Sequence, residues 1–305
     1  MKPSINHQVL WGAYFKLTFT TVVWGISFIA TKLAVREAAP GVVVWLRFLI
    51  GVVLMFIILL VRKQLALPTG RDALQFALLG FIGVTLHQWL QSTGLVTSQA
   101  STTAWIVASI PIFIAMLGWF FLREKVTSIQ LAGILLAALG VLLVVSRGDV
   151  LSVFREQNFA PGDVLILLSA PNWALFSVLS RGVLKKHSPL FMVFYVLLFG
   201  WLFSTLLLLG QGGLTQMALL SQNGWAAVLF LGIFCTALGY LFWYDGLSAL
   251  TASQAGAFIY LEPLVTAIAA WVVLGEPLSA ASLLGGGLIL GGVWLVNTYS
   301  SRMDE

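Results

Sequence analysis

The sequence predicts an all-α integral membrane protein: ten transmembrane helices in two inverted five-helix repeats around a central cavity. Three observations carry this. Of the 305 residues, 60% are hydrophobic and 9% charged. A soluble domain carries about 25% charged residues, so this chain cannot cover a water-facing surface. Ten apolar runs are long enough for a bilayer core about 30 Å thick, which takes about 20 helical residues. The chain also lies over itself. Gly80, Gly94, Leu95, Ala100, Ser101, Pro111, Trp119, Glu124, Gly133 and Gly140 fall, 152 residues on, upon Gly232, Gly246, Leu247, Ala252, Ser253, Pro263, Trp271, Glu276, Gly285 and Gly292. Trp24, Lys32 and Pro40 pair with Trp173, Arg181 and Pro189 at a separation of 149. Repeats in so apolar a chain are the pattern of secondary transporters.

The runs are 11–35, 41–62, 73–94, 100–121 and 128–146, then 163–184, 189–210, 224–246, 252–274 and 280–299. The first holds Trp24 and Lys32, and the second holds Arg47. In the third, Gly80, Gly83, His87, Gln91 and Gly94 recur at three and four, one small and polar helix face turned into the bundle. The fourth and ninth open on small polar residues (SQASTTAW, TASQAGAF) and meet Pro111 and Pro263 at matched positions. The fifth and tenth carry the paired glycines. None of the runs alternates with period two, which excludes a barrel. The expected units are 1–146 and 163–305, joined by a polar periplasmic linker at 147–162.

Ten spans put both termini on one side. With that side cytoplasmic, inner segments hold nine basic residues (Lys2, Arg62, Lys63, Arg71, Arg123, Lys125, Lys185, Lys186, Arg302) and outer segments three (Arg36, Arg147, Arg155). The bias places both ends inside. Five helices per repeat then invert the second copy.

Other classes fall away. The +5 charge is scattered between apolar runs and is no nucleic-acid footprint. Cys235 stands alone, so no internal disulfide or thiolate cluster forms. The first run is too long for a signal h-region, so no cleaved leader is expected. An enzyme in the membrane would need a nucleophile–base pair, a carboxylate dyad or metal ligands. The runs offer one histidine, no HExxH and no GxSxG. No cofactor and no metal are expected.

The pattern WGxSF…K (Trp24, Gly25, Ser27, Phe28, Lys32), Arg47-Phe48, and the twice-occurring GL…(A/T)S…P…L…E…G resemble the drug/metabolite transporter superfamily, in its EamA-type branch. The aromatic-rich spans are most similar to that branch's bacterial aromatic amino-acid exporters. The resemblance implies a basket-shaped bundle with a central cavity in the bacterial plasma (inner) membrane. It implies export of amino acids, aromatic or hydrophobic ones first, and of similar small metabolites by alternating access. A polyspecific exporter of cationic drugs is the rival. The partners expected are a small-molecule substrate and the lipid bilayer, and a monomer is the expected state.

Polar groups inside a membrane are costly, so each is a candidate for function. The candidate substrate site is Trp24, His87, Gln91, Trp105, Trp173, Tyr240, Tyr244 and Tyr260: rings to stack on an aromatic side chain and hold an ammonium, polar groups to hold a charged backbone. Every ring also has the plain alternative of membrane packing. Glu262, whose repeat mate is Ile110, admits substrate or proton binding, or a pair with Lys32, Arg47 or Arg181. Lys32 and Arg181 admit carboxylate binding, gating or snorkelling. Glu124 and Glu276 occur in both copies near span ends, which points to a structural job such as capping the next helix. Pro111 and Pro263 are expected to kink their helices.

Overall fold

The computed structural model describes residues 7–122, 127–149, 160–249 and 258–300. Among these, every regular element is helical. The helices are α1 His7–Ala34, α2 Pro40–Val61, α3 Gly70–Thr97, α4 in two pieces (Ala100–Val107 and Ile110–Leu122), α5 Ser128–Val145, α6 Pro161–Leu184, α7 Pro189–Gly210, α8 222–249, α9 Leu261–Leu274 and α10 Ala280–Ser300. Seven of the described helices are long and apolar enough to cross a membrane, and α4, α9 and α10 contribute shorter apolar stretches. The protein is therefore a multi-pass membrane protein. Most of the linker (150–159) and the start of the ninth run (250–257) lie outside the described residues.

Apolar side chains dominate every helix, and several of the hydroxyls inside them bond back into their own helices. Thr20 donates to the Lys16 carbonyl (2.9 Å), Thr21 to Leu17 (3.0 Å) and Ser27 to Trp24 (2.6 Å). These polar groups thus enter the bundle without an orphan donor.

Helices pack across the two halves: α1 on α8, α3 on α6, α2 on α7 and α5 on α10. The glycines explain the closeness. A Cβ on Gly140 would lie 2.5 Å from the Gly285 carbonyl oxygen, and one on Gly133 would lie 2.7 Å from that of Gly292. Each glycine of α5 thus meets the mate of the other, the reciprocal contact of a twofold interface. Elsewhere the same reciprocity holds. Gly94 faces Ile166 while its mate Gly246 faces Leu17, and Gly51 faces Thr236 while Gly200 faces Val84.

Two wide turns recur at matched positions. α3 relaxes into a π turn over Gly80–Leu86, and α8 does so over Leu231–Leu238. In each, a threonine hydroxyl reaches the carbonyl five residues back: Thr85 to Gly80 (3.5 Å) and Thr236 to Leu231 (2.9 Å). α4 is interrupted at Ala108–Ser109, just before Pro111, and a turn at Tyr260 precedes the α9 segment that carries Pro263.

Candidate functional site

The π turn in α3 sets the direction of the helix that follows, which opens at His87. His87 is buried, its Nδ1 lies 3.2 Å from the Ser169 carbonyl of α6, and its ring centroid is 4.6 Å from that of Trp173. Trp173 also packs on Phe176 at 4.9 Å. Gln91 is buried one turn beyond His87. The matching turn in α8 serves a second ring group. Trp24 Nε1 donates to the Cys235 carbonyl (3.0 Å), and its ring packs on Tyr240 (5.8 Å) and Trp243 (5.3 Å). Trp24, Trp173, Tyr240 and Tyr244 all belong to, or pack against, one buried cluster. Tyr240 and Tyr244 lie beside Met55, Pro189 and Val193, with no space for a water molecule between them.

Two expected site residues stand apart. Trp105 packs with Ala137, Ile289 and Val293 between α4, α5 and α10, and Tyr260 packs against that same cluster. The Trp105 indole N–H is buried without an acceptor among the described residues. These two belong to a separate aromatic group.

Lys32 and Glu276 sit at one end of the bundle. Glu276 accepts from the Ala100 and Ser101 amides (2.9 and 3.0 Å) and from the Ser101 hydroxyl (2.8 Å), so a carboxylate from the second half caps α4 of the first. Gly275, at φ +67°, turns the chain that aims it. Lys32 Nζ lies 3.8 Å from Glu276 and donates to the Ser98 carbonyl, while the Ser98 hydroxyl donates to Asp163. Glu37 caps α8 at the same end, accepting from the Ser221 amide (2.7 Å) and hydroxyl (2.8 Å). Gln211 accepts from the Gly41 amide (2.8 Å). Polar cross-links therefore bind the loops 35–39, 97–99, 160–163, 211–221 and 275–279 at this end. The side chain of Arg181 and the whole of Glu124 lie outside the described residues.

Sequence reasoning missed one residue. Arg47 is only 4% exposed, although it sits in the apolar run PGVVVWLRFL. Its Nη1 donates to Gln88 Oε1 (2.8 Å) and its Nε to Thr236 Oγ1 (3.3 Å). An arginine in the middle of an apolar run was the signal, and it was read only as a possible mate for Glu262. Among the described residues Glu262 makes no ion pair with Lys32 or Arg47.

The sequence profile of the EamA-like transporter family matches residues 11–146 and, a second time, residues 160–298. The chain belongs to the EamA-like transporter family. It is a transporter, not an enzyme. An uncharacterized transporter of Archaeoglobus fulgidus is 29% identical over 92% of this chain and 95% of its own length. An uncharacterized transporter of Bacillus subtilis is 30% identical over 93% and 91%. A probable terminal-alkyne amino-acid exporter of Streptantibioticus cattleyicolor is 26% identical over 93% of each. A protein solved by crystallography superposes with a TM-score of 0.65 over 98% of this chain and 100% of its own, at 19% identity, and so shares the fold.

Proposed function

We propose that this transporter is a ten-span carrier that exports amino acids, aromatic and hydrophobic ones first, and similar small metabolites by alternating access. Its units are residues 1–146 and 163–305, inverted with respect to each other, in a bacterial plasma membrane with both termini cytoplasmic and one chain sufficient for transport. The observation that carries the reading is the tilted contact of His87 with Trp173 at 4.6 Å, in the same cluster as Trp24 and Tyr240. It puts a partly buried ring of one half against a buried imidazole of the other. The reciprocal glycine contacts support the inverted repeat. The name of the Streptantibioticus relative supports an amino-acid substrate.

Substrate enters from the cytoplasm, its side chain lies against Trp24, Trp173, Tyr240 and Tyr244, and His87 and Gln91 receive its polar end. The halves then rock, closing one mouth and opening the other. The outward mouth is the end bound by Lys32, Glu276, Ser98 and Asp163. The two proline-broken helices, at Pro111 and Pro263, shape the cavity between them.

A cationic-drug exporter is the second reading, favoured by Glu262, which has no ion-pair partner among the described residues. The buried Arg47 guanidinium weighs against it, because a cation near the same rings is repelled. The test is counterflow in proteoliposomes loaded with unlabelled phenylalanine, following labelled phenylalanine at equal pH on both sides. Accumulation that is lost in His87→Ala and Trp173→Ala is the expected result. Uptake of a cationic dye without phenylalanine counterflow would turn the assignment to the second reading.

A further inference from the structure

Two charges inside the helical bundle lack a repeat mate and, among the described residues, an opposite partner. Arg47 is held by neutral groups alone, Gln88 and Thr236, with the Phe48 ring centroid 5.2 Å from its guanidinium. No carboxylate stands within ion-pair distance of it among the described residues. Glu262 stands in α9 where that helix touches α1. Its backbone carbonyl accepts from Thr266 (2.9 Å), and a Cβ on Gly25 would lie 2.9 Å from that carbonyl. Its carboxylate makes no hydrogen bond or ion pair among the described residues. At the repeat separations, Val196 stands for Arg47 and Ile110 for Glu262. The architecture therefore needs neither charge. Lys32 and Glu276, which do recur in the repeat as Arg181 and Glu124, are engaged in the end network.

An isolated charge in a bundle core is costly unless something compensates it. Both charges border Trp24. In one stretch of α8, Thr236 takes the Arg47 bond beside Cys235, and in α9 the Glu262 backbone carbonyl stands against Gly25, the residue after Trp24. The same stretch of α8 holds Trp24 through the Cys235 carbonyl and carries Tyr240. An anion recognised at one end of the ring group and a cation at the other describe a zwitterion.

We propose that Arg47 and Glu262 form the recognition site for a zwitterionic substrate: Arg47 takes its carboxylate and Glu262 its ammonium, with the rings of Trp24 and Tyr240 against its side chain. The inference rests on the amino-acid reading and refines it: each charge of the substrate goes to one residue, and His87 and Gln91 are left to add neutral hydrogen bonds at that polar end.

The test is phenylalanine counterflow with three competitors: phenylalanine, 3-phenylpropionate (carboxylate only) and phenethylamine (ammonium only). With the wild type, phenylalanine competes at least about tenfold better than either analogue, as loss of one charged contact of about 1.4 kcal/mol requires. In Arg47→Gln that margin over phenethylamine disappears while the margin over 3-phenylpropionate remains. In Glu262→Gln the pattern is the mirror image. Variants that lose uptake yet keep both wild-type margins would overturn the proposal and make the charges structural. Arg47→Lys and Glu262→Asp guard against misfolding, since each keeps its charge and should keep its margin. Margins lost in these as well would also overturn it. Wild-type protein without any phenylalanine counterflow is a separate outcome: it removes the amino-acid reading, and this assignment with it.

Discussion

Replacing Glu276 by alanine tests the cap that ties the halves together. The carboxylate serves three donors at 2.8 to 3.0 Å and stands 3.8 Å from Lys32. Ala100 and Ser101 are buried, at 0% and 4% exposure, so both amides lose their acceptor where water is scarce. An unsatisfied buried donor costs about 1 to 3 kcal/mol, which makes about 2 to 6 kcal/mol for the two amides. Lys32 keeps the Ser98 carbonyl, so its share is small. Taking about 3 kcal/mol, and roughly 2 °C per kcal/mol at this chain length, the melting temperature should fall by about 6 °C. Glu276→Gln keeps one carbonyl oxygen and should fall about half as far. Thermal unfolding in nanodiscs measures the shift. Accessibility to a membrane-impermeant maleimide measures the opening, using Leu95→Cys, buried close to the cap, in a Cys235→Ala background. Labelling should rise in Glu276→Ala, because weakening one closed state shifts the population toward the other. If both variants melt within about 1 °C of the parent and label at its rate, the cap holds nothing and the reasoning fails.

Gly140→Leu should destabilise by about 1 to 3 kcal/mol or more, because its side chain has no room against Gly285 and Ile289; yield and melting temperature check it. Tyr195→Phe removes the 2.6 Å bond to the Ala66 carbonyl and should cost about 0.5 to 1.5 kcal/mol, readable as a lowered melting temperature with transport unchanged. Lys16→Ala breaks a 3.1 Å pair whose members are about a third exposed (37% and 34%), and stability should change by under about 1 kcal/mol. Trp173→Ala should weaken phenylalanine binding to the detergent-solubilised protein more than leucine binding, since the ring 4.6 Å from His87 is gone.

The helices were legible because the bilayer imposes one length and one chemistry on every span. The second run, 41–62, and helix α2, Pro40–Val61, differ by a residue at each end. The π turns were not legible, since no residue type announces a turn closed one residue wide. Their recurrence at matched positions shows only in the backbone. The repeat points to Glu276 as a cap of the helix that follows it; in the structure Ser279 caps that helix, and Glu276 reaches across to cap the opposite half's α4. His87 and Trp173 meet, as do Trp24 and Tyr240. Trp105 and Tyr260 join a different cluster, because a ring's partner depends on which helices cross, and composition does not carry that. Arg47 was visible as a charge in an apolar run, but that it pairs with no carboxylate among the described residues is a three-dimensional fact.

The wide turns at 80–86 and 231–238 have a consequence for comparing relatives. A π turn holds one residue more than the regular helix around it, as a single insertion would leave. Deleting one residue there restores an unbroken helix and rotates everything beyond it by about 100°. His87 would swing off Trp173, and Tyr240 off Trp24, with no change in either residue's identity. A one-position gap in these two stretches therefore marks a transporter whose pocket is lined by a different face, even when the aromatic residues align.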